Sequence, residues 1–207
     1  GALGTGLLTV GASGSNATLN LGGSLSTVTE VCGISIRSPG TVAKRIAVIG
    51  AGSRILSGAM DQSASAGLTL ACESSGSLTF SNAITGNGPV TVNSTGSGKV
   101  IFTGNSSTFS GATTVQAGGL QLGSGPILGT STITPLAGGT LSLQPYAQTT
   151  VGGLAPNAGG LTDVGNGKAT VTSGLAAADM VTALVTGRGD GSWNGTAGIT
   201  SSVSTAR

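Results

Sequence analysis

Gly98-Lys99-Val100-Ile101-Phe102-Thr103-Gly104-Asn105, Thr108-Phe109-Ser110-Gly111-Ala112-Thr113-Thr114-Val115 and Ala117-Gly118-Gly119-Leu120-Gln121-Leu122-Gly123 follow one another almost without a gap. Each phrase holds a short run in which apolar and polar side chains alternate, set beside Gly or Asn. Alternation with period two marks a half-buried strand, and Gly or Asn supplies the backbone freedom for a turn. The runs are too short to stand alone. Strands this brief, repeated many times between tight turns, suit a coil that stacks on itself, each turn burying its Val, Ile or Leu against the next at about 4.8 Å spacing.

The same grammar extends outward in both directions. Ala17-Thr18-Leu19-Asn20-Leu21, Gly33-Ile34-Ser35-Ile36, Arg45-Ile46-Ala47-Val48-Ile49, Gly67-Leu68-Thr69-Leu70, Ser77-Leu78-Thr79-Phe80, Val90-Thr91-Val92 and Gly139-Thr140-Leu141-Ser142-Leu143 are further short segments of this kind, set among Gly, Asn, Ser and Pro. Composition agrees: the 207 residues include 39 Gly but only three Phe, one Tyr and one Trp, so any core is thin and aliphatic. A β-sandwich is the competing arrangement. It calls for longer strands and larger core aromatics. Apolar content of 38% separates the chain from disordered Gly/Ser linkers, which cannot offset their chain entropy.

One stretch breaks the pattern. Ser173-Gly174-Leu175-Ala176-Ala177-Ala178-Asp179-Met180-Val181-Thr182-Ala183-Leu184-Val185-Thr186-Gly187 has Ser as an N-cap, Ala-rich helix formers and Gly as a stop. It predicts a single helix of about three turns, with Leu175, Met180, Val181 and Leu184 covering the open end of the coil against edge association. The chain divides on this reading into solenoid repeats over 1–162 and a C-terminal segment over 163–207.

The stretch from Gly98 to Gly123 resembles the autotransporter-associated β-strand repeat: a Gly-led strand, a Gly-Asn turn, an aromatic-Ser-Gly step, Thr-x-Val, and a closing Ala-Gly-x-Leu-x-Leu-Gly. Fainter echoes cover Gly4–Gly23 and Arg45–Gly86. The tail from Asp163 to Ser202, with Gly187-Arg188-Gly189-Asp190-Gly191-Ser192-Trp193-Asn194-Gly195, resembles the segment that follows such repeats in large bacterial secreted proteins. The resemblance implies an all-β, right-handed parallel β-solenoid carried to the cell exterior, with the repeat as scaffold and no enzyme. Gly1 opens inside a repeat-like phrase, which suggests a piece of a longer protein.

Candidate chemistry is sparse. Histidine is absent, which removes Ser-His-Asp and Cys-His catalysis and the commonest zinc ligand. Asp61 and Glu73, on adjacent turns, are the one carboxylate pair that could serve a polysaccharide-cleaving enzyme. Asp190, Ser192 and Asn194 before Gly195 fit the first half of a calcium loop, although Ser201 stands where a closing Glu belongs. Cys32 and Cys72 would bridge in an oxidising compartment and remain buried thiols in the cytosol; the extracellular character of the composition favours the bridge.

Several shorter signals read as scaffold. Ile46 to Ile55 imitates a dinucleotide fingerprint but has Ile55 at the third glycine position. Gly98-Lys99 lacks the Ser or Thr of a phosphate loop. Arg188-Gly189-Asp190 spells an adhesion tripeptide, and Asn16, Asn93, Asn105 and Asn194 begin glycosylation sequons, matches that a Gly- and Ser-rich chain produces readily. With eight basic residues against six acidic, the only cationic grouping is Lys44-Arg45 with Arg37 and Arg54 nearby, read as a solvated face rather than a nucleic-acid or lipid site. No apolar run reaches the roughly 18 to 20 residues of a membrane span.

The sequence thus points to a non-catalytic extracellular or cell-surface structural protein, a β-solenoid rod or fibre subunit that self-associates, with no cofactor. An adhesin holding carbohydrate through Thr, Ser and Asn faces is the alternative, and a polysaccharide-degrading β-helix the third.

Overall fold

Most strands are short and set between turn-forming residues, so the chain bends after a few residues and meets its own previous turn. The computed structural model describes residues 5–11, 16–22, 27–37, 44–64, 66–105 and 108–203, without the side chains of Arg37 and Ala64. In chain order the turns hold β1 (Leu7–Val10), β2 (Thr18–Leu21) and β3 (Val28–Glu30); β4 (Gly33–Arg37), β5 (Lys44–Val48) and β6 (Arg54–Leu56); β7 (Met60–Ala64), β8 (Leu68–Cys72) and β9 (Leu78–Phe80); β10 (Ile84–Thr85), β11 (Val90–Asn93) and β12 (Lys99–Phe102). The long β13 (Thr113–Leu122) follows, then β14 (Gly125–Pro126), β15 (Thr132–Pro135) and β16 (Gly139–Leu143). The chain ends in β17 (Gln148–Val151), β18 (Gly153–Leu154), β19 (Leu161–Asp163), β20 (Lys168–Val171), the helix α1 (Ala177–Arg188) and β21 (Gly198–Thr200).

Every pairing between these strands is parallel, and each joins one turn to the next. The result is a β-solenoid with three faces. On the second face β2, β5, β8, β11, the first half of β13, β15 and β18 stack in that order. On the third, the ladder runs β3, β6, β9, β12, the second half of β13, β16, β19 and β21. First-face strands form two ladders among the described residues, β1-β4-β7-β10 and β14-β17-β20.

The core is a set of columns rather than a centre. Ile46, Leu70, Val92 and Val115 stand in register on the second face, and Leu56, Phe80, Phe102, Leu122 and Leu143 on the third. All are buried. The rings of Phe80 and Phe102, one turn apart, meet edge to face with centroids 5.4 Å apart, a favoured aromatic geometry. Two opposed sheets around a compact interior, the sandwich alternative, are not what forms.

Two details differ from the sequence reading. Thr114–Gln116 and Gly119–Leu122 belong to one ten-residue strand; Gly118, at φ +75°, carries the chain round a corner without ending its pairing. The division expected at 162/163 falls inside β19, and stacking continues through β20 and β21, so α1 is an insertion in the coil's last turn.

The helix forms where expected but packs differently. Its N-cap is Ala176, not Ser173, and its C-cap is Gly189, not Gly187. Gly198 N–H donates to Gly160 O at 2.9 Å and Val164 N–H to Thr200 O at 3.0 Å, so those groups of β21 face β19. The N–H and C=O of Ile199 between them therefore point to the open edge. Ala183 and Gly187, the two buried residues of α1, lie against that edge, while Met180, Val181 and Val185 stay exposed. Small side chains win this contact because a helix can shield a strand edge only by bringing its backbone close.

Candidate functional site

The outer wall is where recognition can occur, and its most regular feature is a column of threonines. Thr69, Thr91, Thr114 and Thr134 occupy equivalent outward positions of β8, β11, β13 and β15, all half-buried between their neighbours. Below Thr69 the column continues with Arg45 and Thr18. Arg45 pairs with Glu73, whose other carboxylate oxygen accepts a hydrogen bond from Thr95. The pair bridges adjacent turns, and its exposure of 33% and 26% keeps its contribution near that of a surface salt bridge, about 0 to 1 kcal/mol.

The carboxylates Asp61 and Glu73 are not brought together. The ladders place Ser35 and Thr85 across from Asp61 on the first face, and Asp61 accepts hydrogen bonds from the Ser63 amide and hydroxyl at 2.9 and 2.6 Å. Glu73 stands beyond the end of β8, past the next corner. Nothing in the spacing of the sequence shows that a corner intervenes.

Asp190, Ser192 and Asn194 do meet, through hydrogen bonds to one another. Asp190 Oδ1 accepts from the Ser192 amide and hydroxyl at 3.0 and 2.6 Å, and Asp190 Oδ2 from Asn194 Nδ2 at 3.0 Å. The Ser192 hydroxyl, with the Ser192 amide and the Asn194 amide, holds the Asp190 carboxyl below its ordinary range, although the group is fully exposed. Arg188 ends the helix and Gly189 caps it, so the adhesion-like tripeptide spans a helix stop. The Asn105 sequon has its last two residues outside the described ones.

Cys32 and Cys72 are free and buried. Cys32 lies at the corner between the third and first faces, Cys72 at the corner between the second and third, so the coil separates the two thiols that the bridge would join. The Cys72 thiol donates to Lys99 O at 3.3 Å. Burial raises both thiols, Cys72 to about 11.

The cationic grouping resolves differently from a solvated face. Arg45 points outward, but Lys44 and Arg54 occupy inward columns and are buried, Lys44 in line with Leu68 and Arg54 with Leu78. Glu30 is likewise buried, in line with Leu56. The Arg54 guanidinium donates to Ser53 O at 3.0 Å and to Gly22 O. Charges at core positions collect in the first two turns, beside a cavity of about 260 Å³ lined by Asn20, Glu30 and Arg54. Arg37 has its side chain outside the described residues. Alternation counted through Lys44-Arg45-Ile46 already sets Lys44 on the side of Ile46, a signal that the charge of the residue obscured.

The family model of the passenger-associated-transport-repeat matches residues 95–122. The match falls on the phrase that carries the resemblance in the sequence and covers the whole of β12 and β13. No curated protein and no solved structure matches the chain.

Proposed function

We propose that the chain is a non-catalytic, extracellular structural element, a solenoid rod in the passenger part of a surface protein. The observation that supports this reading best is the third-face ladder, continuous from β3 to β21 with the matched repeat inside it. A stack of parallel turns gains stability turn by turn and extends along one axis, which suits a spacer or fibre subunit. The two ends differ. Among the described residues β1, β2 and β3 each pair on one side alone, whereas α1 shields the far edge of β21. Self-association of such rods, through the strand edges that a stacked coil presents at its ends, belongs to the same reading.

An adhesin is the second reading, favoured by the in-register threonine column. Rows of hydroxyls at strand spacing offer hydrogen bonds to a glycan or another surface without a pocket.

Immunogold labelling of the producing cell, with negative-stain images of the purified protein, tests the first reading. Label outside the cell and uniform elongated particles are expected. Label confined to the cytoplasm, or release of products from polysaccharides by the purified protein, would overturn it.

A further inference from the structure

Tyr146, the only tyrosine of the chain, sits where a tyrosine is least expected. The turn Gln144-Pro145-Tyr146-Ala147 closes with Ala147 N–H donating to Gln144 O at 3.0 Å, and Tyr146 has φ +60°. A proline-led turn of this kind takes Gly at its third position, because a side chain there strains the backbone by about 1 kcal/mol or more. The chain uses Gly at most of its other positive-φ positions. At this one it places an aromatic ring held out from the surface: Tyr146 is 79% exposed, the most exposed large hydrophobic side chain among the described residues.

The surroundings give the ring company suited to one class of ligand. Tyr146 is locked in place from the next turn, its N–H donating to Asn166 Oδ1 at 2.9 Å. That bond occupies Asn166 Oδ1 and leaves its Nδ2 without a partner among the described residues. Gln148 and Lys168 are register partners on β17 and β20, and with Tyr146, Ala147, Asn166 and Gly167 they line an open depression of about 340 Å³. No carboxylate lines it. The Gln148 and Lys168 side chains are exposed and make no hydrogen bond or ion pair within the described residues.

We propose that this depression is a subsite for an acidic sugar of a polysaccharide. The ring of Tyr146 stacks on the C–H face of a pyranose, the amides of Gln148 and Asn166 bond its hydroxyls, and the Lys168 ammonium pairs with its carboxylate. An exposed aromatic supplies contact area at small entropic cost, since only two side-chain torsions are frozen. With no carboxylate in the lining, the ammonium is the one charge of the depression, which selects a uronic acid over a neutral hexose. The subsite lies on the first-face corner, away from the threonine column, and stands whether the rod is a spacer or an adhesin.

Tyr146→Gly separates binding from folding, because glycine removes the ring and relieves the positive φ together. In calorimetric titration with a galacturonic acid trimer, the native protein is expected to bind at least tenfold more tightly than Tyr146→Gly, whose thermal midpoint is unchanged or higher. Lys168→Gln is expected to abolish the preference for that trimer over a neutral galactose trimer. Equal affinity of the native protein and Tyr146→Gly, no binding of either trimer, or a preference for the neutral one would each overturn the proposal. The amide signals of Tyr146, Gln148 and Asn166 should shift on titration while those of Thr91 and Thr114 stay still; the reverse pattern would overturn it as well.

Discussion

Gly187 of α1 lies so close to the Ile199 carbonyl that no β-carbon fits between them. The helix thereby places its own backbone over the edge of the last third-face strand. Gly195 N–H donates to Gly187 O at 3.0 Å and ties the following loop to the same point. In a helix interior Gly→Ala usually stabilises by up to about 1 kcal/mol. Here the sign reverses. Gly187→Ala is expected to lose about 1 to 3 kcal/mol in urea unfolding, the range of an overpacked contact, and to raise the tendency to associate, seen as a larger species in analytical ultracentrifugation. An unchanged or increased stability would mean that the helix does not seal the edge.

The aromatic pair inside the coil makes the thin core testable. Phe102→Ala removes the ring that meets Phe80 and leaves a hole with neighbours held above and below by their own ladders. A loss of about 3 to 5 kcal/mol is expected. Thr91→Ala, on the outer wall of the same turn, should stay within about 0.5 kcal/mol. Equal effects from the two variants would refute the inward and outward assignment of the strands.

Gln62 is wholly buried, and neither its amide oxygen nor its amide nitrogen has a hydrogen-bond partner. A buried polar group without partners destabilises by roughly 1 to 3 kcal/mol. Gln62→Met keeps the length of the side chain and removes both groups, so it should raise stability by about 1 to 2 kcal/mol. A decrease on chemical denaturation would show that the amide is bonded in solution.

Burial lifts the Cys72 thiol from 9.0 to about 11, with Glu73 adding a smaller push in the same direction. A raised value favours the neutral thiol in the fold. The associated stabilisation is fully present below about pH 9 and is lost as pH rises through about 11. Cys72 should resist iodoacetamide at pH 8 in the native protein and react once unfolded, as read by mass spectrometry. Rapid labelling of native protein would contradict the buried position.

The sequence alone settled the class of fold because the two periods it depends on are local. Alternation in Val90-Thr91-Val92 or Leu120-Gln121-Leu122 marks an inward and an outward face whatever lies next to them, and Ala-rich helix formers between Ser173 and Gly187 mark the helix. The match over 95–122 follows from the same local phrases. What only the tertiary structure decided is which turn lies over which, since register is set by the lengths of corners whose residues carry little pattern. Those corners part Asp61 from Glu73 and Cys32 from Cys72, and bring Asn166 up to Tyr146. The helix surface was decided in the same way: Met180 and Val181 look like a covering face from composition, but the free edge of β21 admits only Ala183 and Gly187, because shielding a strand edge depends on how closely two backbones can approach.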